Sequence, residues 1–166
     1  MGESRKCQVL VIGAGPGGYV AGIRAAQLGL ETIVIEGDKA GGTCLIRGCI
    51  PSKAIIHAAE RFESLRQHSA EGGHMGLSVD GVPEVDMAAL VSWKDSIVDR
   101  LNKGVEGLLK AAGAELISGW ASFEGPKKCT VDTADGKVNI EPENIILATG
   151  SSHIDLPFMP CDEEFV

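Results

Sequence analysis

The feature that most narrows the fold is Gly13-Ala14-Gly15-Pro16-Gly17-Gly18, set directly after Val9-Leu10-Val11-Ile12. A run of mostly β-branched apolar residues reads as a buried strand, Gln8–Ile12. After the glycines, a helical pattern runs to Leu28 and is stopped by Gly29. Thr32 to Ile35 is a second buried strand, ending at Glu36. Strand, helix and strand in this order form a βαβ unit, which needs a parallel sheet. The spacing gives each glycine a task. Gly13 permits a tight turn, Gly15 lets a pyrophosphate approach the backbone, and Gly18 lets the helix pack close to the strand. The helix N-terminus offers unpaired N–H groups to the phosphates. Glu36 stands where an acid accepts hydrogen bonds from ribose hydroxyls. With strand, helix and acid in place, the loop points to a dinucleotide and does not separate FAD from NAD.

Composition sharpens this. The chain has 22 glycines in 166 residues, well above the usual ~7%. Ten of them lie between Gly13 and Gly48, as expected where backbone must come close to something. The length suits one domain with a real core. The net charge of −8 and the scattered Lys and Arg speak against nucleic-acid binding, which needs a basic stripe. No apolar run approaches the ~18 residues of a membrane span. The polar start, Met-Gly-Glu-Ser-Arg-Lys, lacks a signal-peptide core, and Lys6 breaks the myristoylation pattern. The expected compartment is the cytoplasm.

Further along, Gly37–Gly48 reads as a loop and Ile50 to about Gln67 as a helix. His68–Pro83 reads as a second loop. Asp86 is placed to cap a long helix to about Ala111, with Leu90, Trp93, Ile97, Leu101, Val105 and Leu108 on one stripe. Short strands follow at Glu115–Ser118, Ala121–Phe123, Lys128–Thr133 and Lys137–Ile140, with a hairpin turn at Asp135-Gly136. Asn144–Ala148 is a last apolar strand, ending in Thr149-Gly150. The fold class is α/β: a Rossmann-like parallel sheet with a small antiparallel meander.

Cys44 and Cys49 are the most informative pair. On a regular helix, Cα atoms five residues apart lie ~8–9 Å from each other, beyond disulfide reach. If the two bond, the segment between them is not regular helix, and the helix proper starts near Cys49. A cysteine there has a lowered pKa, and Lys53 lies one turn on, on the same face. A closed loop this short removes little chain entropy, about 2 kcal/mol, so a redox role explains the pair better than a staple. Three other readings stay open: a structural disulfide, half a metal site with His57, or two unrelated buried thiols. No metal is expected. Cys7, Cys129 and Cys161 have no motif around them and are given no function. An odd count of five cysteines does not suggest a secreted disulfide scaffold.

The stretch Gly41-Gly42-Thr43-Cys44-Leu45-Ile46-Arg47-Gly48-Cys49-Ile50-Pro51-Ser52-Lys53 resembles the redox motif of the pyridine nucleotide-disulfide oxidoreductases. Its Cys-Ile-Pro-Ser-Lys ending is closer to the branch that oxidises dihydrolipoamide than to those that reduce glutathione disulfide or mercuric ion. The resemblance takes in the Gly13–Gly18 loop, Glu36, Trp93-Lys94, Gly119 to Phe123 and Ala148 to Ser151, essentially the whole chain. It implies that Cys44 is the thiol that exchanges with dihydrolipoamide, and that Cys49 and Lys53 lie beside a flavin. It implies that Gly13, Gly15, Gly18, Glu36, Thr43, Ala121 (by its backbone), Thr149, Gly150 and Ser151 line FAD. Ile46-Arg47 departs from the Asn-Val or Asn-Ile more usual in the family. The departure leaves the thiols intact and bears on substrate or flavin contacts.

A complete family member also has a second Gly-x-Gly-x-x-Gly for NAD, a segment finishing the FAD domain, and a dimerisation domain supplying a His-Glu pair to its partner. None is read in this sequence. None of His57, His68, His74 and His153 matches the family's catalytic base, and all four read as loop or surface residues. The expectation is therefore an N-terminal portion of a longer enzyme: residues 1–150 an FAD-binding domain, 151–166 the start of a connection to an NAD-binding domain, and no NAD turnover alone. The implied partners are dihydrolipoamide on lipoyl domains, other components of a 2-oxo-acid dehydrogenase complex, and a second copy of the full-length chain. A eukaryotic, processed form would sit in the mitochondrial matrix. The competing reading is a non-catalytic dinucleotide-binding module, or a dehydrogenase using NAD at Gly13–Gly18, with incidental cysteines.

Overall fold

The computed structural model of the chain describes residues 3–70 and 76–152, with 154, 156 and 158. His74, His153 and Cys161 lie outside the described residues. The elements run β1 (Glu3–Ile12), α1 (Pro16–Gln27), β2 (Thr32–Glu36), α2 (Gly42–Ile46), α3 (Cys49–Ala70) and α4 (Met87–Ala112). Four strands follow: β3 (Glu115–Ser118), β4 (Trp120–Gly125), β5 (Lys128–Thr133) and β6 (Gly136–Leu147). They form a six-stranded sheet of order β3-β2-β1-β6-β5-β4. β1 pairs in parallel with β2 and β6, and β2 with β3. The meander β4-β5-β6 is antiparallel. The α/β class with parallel sheet and meander is as expected, with both parts hydrogen-bonded into one sheet.

Only Gly119 separates β3 from β4, although they are the first and last strands of the order. The sheet must therefore curl back over itself. The Gly119 N–H donates to the Glu36 carbonyl (2.9 Å), which brings the start of β4 back to the end of β2. Alternation along β1 and β2 then serves two cores. Val9, Val11 and Val34 face the helices with Ala25, Val105 and Leu109. Leu10, Ile12, Ile33 and Ile35 face the meander's Cys129, Val131 and Ile140, with Cys7 beside them. Both faces of the central strands are buried, which is why their sequence reads as unbroken apolar runs.

Four sequence expectations need correction. The Gly37–Gly48 loop contains the short helix α2. α3 continues past Gln67 to Ala70, into what read as loop. Lys137–Ile140 and Asn144–Ala148 are not two strands: β6 runs through Pro142 and reaches Leu147, held on one side by β1 along its length. The long helix is capped as expected, the Asp86 carboxylate accepting from the Ala89 N–H (2.9 Å). Its buried stripe, however, is Val98, Asn102, Val105 and Leu109, while Trp93, Leu101 and Leu108 are exposed. Leu90 and Ile97 are half-buried.

The reason for that shift is Asn102. Its Nδ2 donates to the buried carbonyl of Ala40 (2.7 Å), on the loop leading to α2. The polar contact fixes which face turns inward. Asn102→Ala leaves that carbonyl unpaired and is expected to cost about 1–3 kcal/mol in urea unfolding. An unchanged midpoint would show that water replaces the amide.

Candidate functional site

Ligands in open α/β sheets bind outside the carboxyl ends of the strands, where the order reverses. Here β2 and β6 lie on opposite sides of β1. A cleft of about 1060 Å³ opens at that point. Gly13, Gly15, Glu36, Thr43, Cys44, Ala121, Thr149, Gly150 and Ser151 all line it. Strands distant in sequence thus bring most of the predicted site residues to one wall. Gly18, Cys49 and Lys53 do not line it.

Gly13 and Gly18 build the loop. Gly13 has φ +95°, and a Cβ on it would sit 2.3 Å from the Ala148 carbonyl oxygen, at the end of β6. A Cβ on Gly18 would sit 1.7 Å from the Gly13 carbonyl oxygen. Gly18 therefore acts in packing, as the sequence suggested. Gly15 is different: its φ is −71°, and its Cβ would meet only Gly42 Cα at an ordinary 3.7 Å. Space, not strain, surrounds it. The first backbone N–H groups of the 12-residue α1 point out of this loop.

Glu36 does more than mark the strand end. One carboxylate oxygen accepts from the Ala14 N–H (2.7 Å) and the other from the Asp38 N–H (3.0 Å). It thus ties the glycine loop to β2. A carboxylate has about four acceptor positions, so capacity remains for hydroxyl donors in the cleft.

The cysteine pair spans a break in the helix. α2 ends at Ile46, Arg47 and Gly48 form the turn, and α3 begins at Cys49. Both side chains are exposed, and the pair is placed where a disulfide can join it. That is the distorted entry required for two cysteines five residues apart to meet. Cys49 occupies the first turn of a 22-residue helix, where unpaired N–H groups favour a thiolate. Lys53 is exposed one turn on. Arg47 forms an ion pair with Asp38 on the cleft wall, joining the redox turn to the loop after β2. Trp120, within the Gly119–Phe123 stretch, lines the cleft as well, and so do Asp38, Lys39 and Ser152, which were not singled out in the sequence. Only their spatial position reveals them.

The other described cysteines contrast with this pair. Cys7 and Cys129 are buried in the second core. Burial, with smaller contributions from Glu31 and Cys129, pushes the Cys7 thiol up to about 11. Burial also raises Cys129. In a Cys161→Ser background, a thiol reagent at neutral pH is expected to label reduced Cys44 and Cys49 at once, and Cys7 and Cys129 only on unfolding. Because the fold favours the neutral Cys7 thiol, the stability this gives is present below pH 9 and falls as pH rises toward about 11. Among the described residues no cluster of three His, Cys, Asp or Glu side chains could hold a metal ion. His57 is exposed on α3. His68 is helical and half-buried, not in a loop, with its Nδ1 2.6 Å from the Ser64 carbonyl oxygen.

Comparison with known proteins matches the pyridine nucleotide-disulphide oxidoreductase family over residues 7–165. The chain belongs to that family. It is 48% identical over 161 residues to a dihydrolipoyl dehydrogenase of Pseudomonas aeruginosa, covering 96% of this chain and 34% of that one. It is 46% identical over 150 residues to a dihydrolipoyl dehydrogenase of Geobacillus stearothermophilus, covering 90% and 31%. The chain thus spans about a third of the length of these curated relatives. A solved flavoprotein disulfide reductase from Escherichia coli, in a Cu(II) complex, shares the fold at TM-score 0.74 and 24% identity, over 92% of this chain and 30% of that one. Among the described residues, no helix is long and apolar enough to cross a membrane.

Proposed function

We propose that this chain is the FAD-binding, dithiol-carrying part of a dehydrogenase that oxidises dihydrolipoamide to lipoamide, with NAD as final acceptor in the full-length enzyme. The observation that carries this reading is the juxtaposed Cys44 and Cys49, with Cys44 on the wall of a cleft that also holds the glycine loop and Glu36. The cleft suits a long dinucleotide: a helix N-terminus for its phosphates, a carboxylate for a ribose, and Thr149 to Ser151 at the end of β6. Residues 1–150 would form the FAD-binding domain, and 151–166 would begin the connection to an NAD-binding domain.

The thiol chemistry follows from the pair. A substrate thiolate attacks the Cys44 sulfur of the disulfide, the Cys44–Cys49 bond breaks, and Cys49 leaves as a thiolate. Its place at the start of α3 makes it the better leaving group. The second substrate thiolate attacks the mixed disulfide, freeing Cys44 and closing the substrate's own disulfide. Two electrons then sit on the Cys44–Cys49 dithiol. FAD held in the cleft by the glycine loop, Glu36 and Thr149 to Ser151 would supply the two-electron acceptor for this dithiol. Lys53, one turn from Cys49, offers a cation to the charge that develops there.

This reading carries the partners with it: lipoyl domains of a 2-oxo-acid dehydrogenase complex, and a second copy of the full-length chain. It also carries a reducing compartment, the cytoplasm or a mitochondrial matrix. The test is optical. Purified protein should be yellow with released FAD, and a dithiol should raise a long-wavelength absorption band from the Cys49 thiolate. A protein that binds NAD at Gly13–Gly18 and no FAD would favour a dehydrogenase without thiol chemistry.

A further inference from the structure

We propose that Arg47 is a positioning residue for the dithiol: through its ion pair with Asp38 it tethers the turn between Cys44 and Cys49 and holds the two thiols ready to close. This rests on the redox role proposed above for the pair. Arg47 ends α2, and its backbone N–H donates to the Thr43 carbonyl (3.0 Å). Gly48 follows, and a Cβ there would lie 2.9 Å from the same Thr43 carbonyl oxygen. The backbone therefore turns tightly between the two cysteines. Among the described residues, Arg47–Asp38 is the one ion pair that joins this turn to another part of the chain.

The other end of the tether is fixed. The Asp38 N–H donates to a Glu36 carboxylate oxygen (3.0 Å). Lys39 pairs with Asp99 of α4 (3.2 Å), and the Ala40 carbonyl accepts from Asn102 of the same helix (2.7 Å). The Gly41 N–H donates to the Ala14 carbonyl (2.8 Å). Four successive residues are thus held by β2, α4 and the glycine loop, and the redox turn is tied to a rigid post. Both partners of the Arg47–Asp38 pair are half exposed or more, so the pair adds little to global stability. Its effect falls on a local equilibrium. Whether two thiols close depends on their effective concentration, and a restraint on the turn between them raises it.

The test is a glutathione titration in the Cys161→Ser background, read by alkylating Cys44 and Cys49 at equilibrium and weighing the product. Two glutathione thiols give two electrons and two protons to the Cys44–Cys49 disulfide, leaving two protein thiols and one glutathione disulfide. Arg47→Gln should make the disulfide easier to reduce, shifting this equilibrium toward the dithiol by about 1.4- to 5-fold, the range for an exposed pair. Asp38→Asn should shift it the same way, and the double variant no further. A bare charge effect predicts another pattern. Losing the cation disfavours thiolates and losing the anion favours them, so the two single variants would move in opposite directions. Opposite shifts, or no shift in Arg47→Gln, overturn the proposal. So does a fall in the urea midpoint of the reduced variants in place of a shift, which marks a merely structural pair. If the wild-type pair forms no disulfide at any glutathione ratio, the redox reading falls and the tether with it.

Discussion

Replacing either Cys44 or Cys49 by serine is expected to slow reduction of bound FAD by dihydrolipoamide at least about a thousandfold, and the double variant should lose no more. The argument is one of units. In the proposed reaction electrons reach the flavin only through a disulfide that opens and recloses, and neither single variant can form it. Residues that act as a unit are non-additive, so the single losses should not multiply. The two variants should still differ spectroscopically. With Cys44→Ser, the Cys49 thiolate remains at the start of α3 and should give the long-wavelength band without any dithiol. With Cys49→Ser the band should be absent while FAD stays bound. Both side chains are exposed, and serine is smaller than cysteine, so neither change should disturb the fold; circular dichroism checks this. Stopped-flow mixing of each holoprotein with reduced lipoamide measures the rate. Fast flavin reduction in either single variant would remove the pair from the mechanism.

What was legible in the sequence was what local chemistry alone decides. The glycine loop announces itself because Gly13 and Gly18 leave no room for any side chain. The cysteine pair was legible because its spacing excludes a regular helix if the two meet, and the helix does break there. What escaped depended on neighbours distant in sequence. α2 is five residues long and starts at a glycine, too short to show a period. β6 was divided at Glu141-Pro142-Glu143, which looks like a turn, yet β1 pairs alongside Cys7 there and carries the strand through. The stripe of α4 was set one position off because Asn102, polar and buried, bonds Ala40 62 residues away. Trp120 was legible only as part of the Gly119–Phe123 stretch of the resemblance; its seat against Gly37 comes from the loop after another strand.

Three glycines of the loop, Gly13, Gly15 and Gly18, should separate stability from binding. Gly13→Ala adds a methyl 2.3 Å from a backbone oxygen and forces alanine to φ +95°. Strain in that region costs about 1–3 kcal/mol and overpacking about as much again. A total of about 2–6 kcal/mol is a large share of ordinary domain stability, and about 4–24 °C in melting temperature for a chain this size. Gly18→Ala should behave alike, because its methyl would sit 1.7 Å from the Gly13 carbonyl oxygen, and backbone rather than a flexible side chain must yield. Gly15→Ala should not. Its φ is −71° and the nearest atom to the new methyl is 3.7 Å away, so the apo melting temperature should move by no more than a few degrees. The methyl would instead occupy the space into which a pyrophosphate must come, beside the first N–H groups of α1. FAD affinity should therefore fall at least about tenfold in Gly15→Ala, a loss of about 1.4 kcal/mol, with the fold intact. Calorimetric melting of the apo forms and FAD titration of each variant decide it. Normal FAD binding by Gly15→Ala would mean that the phosphates do not lie against this loop.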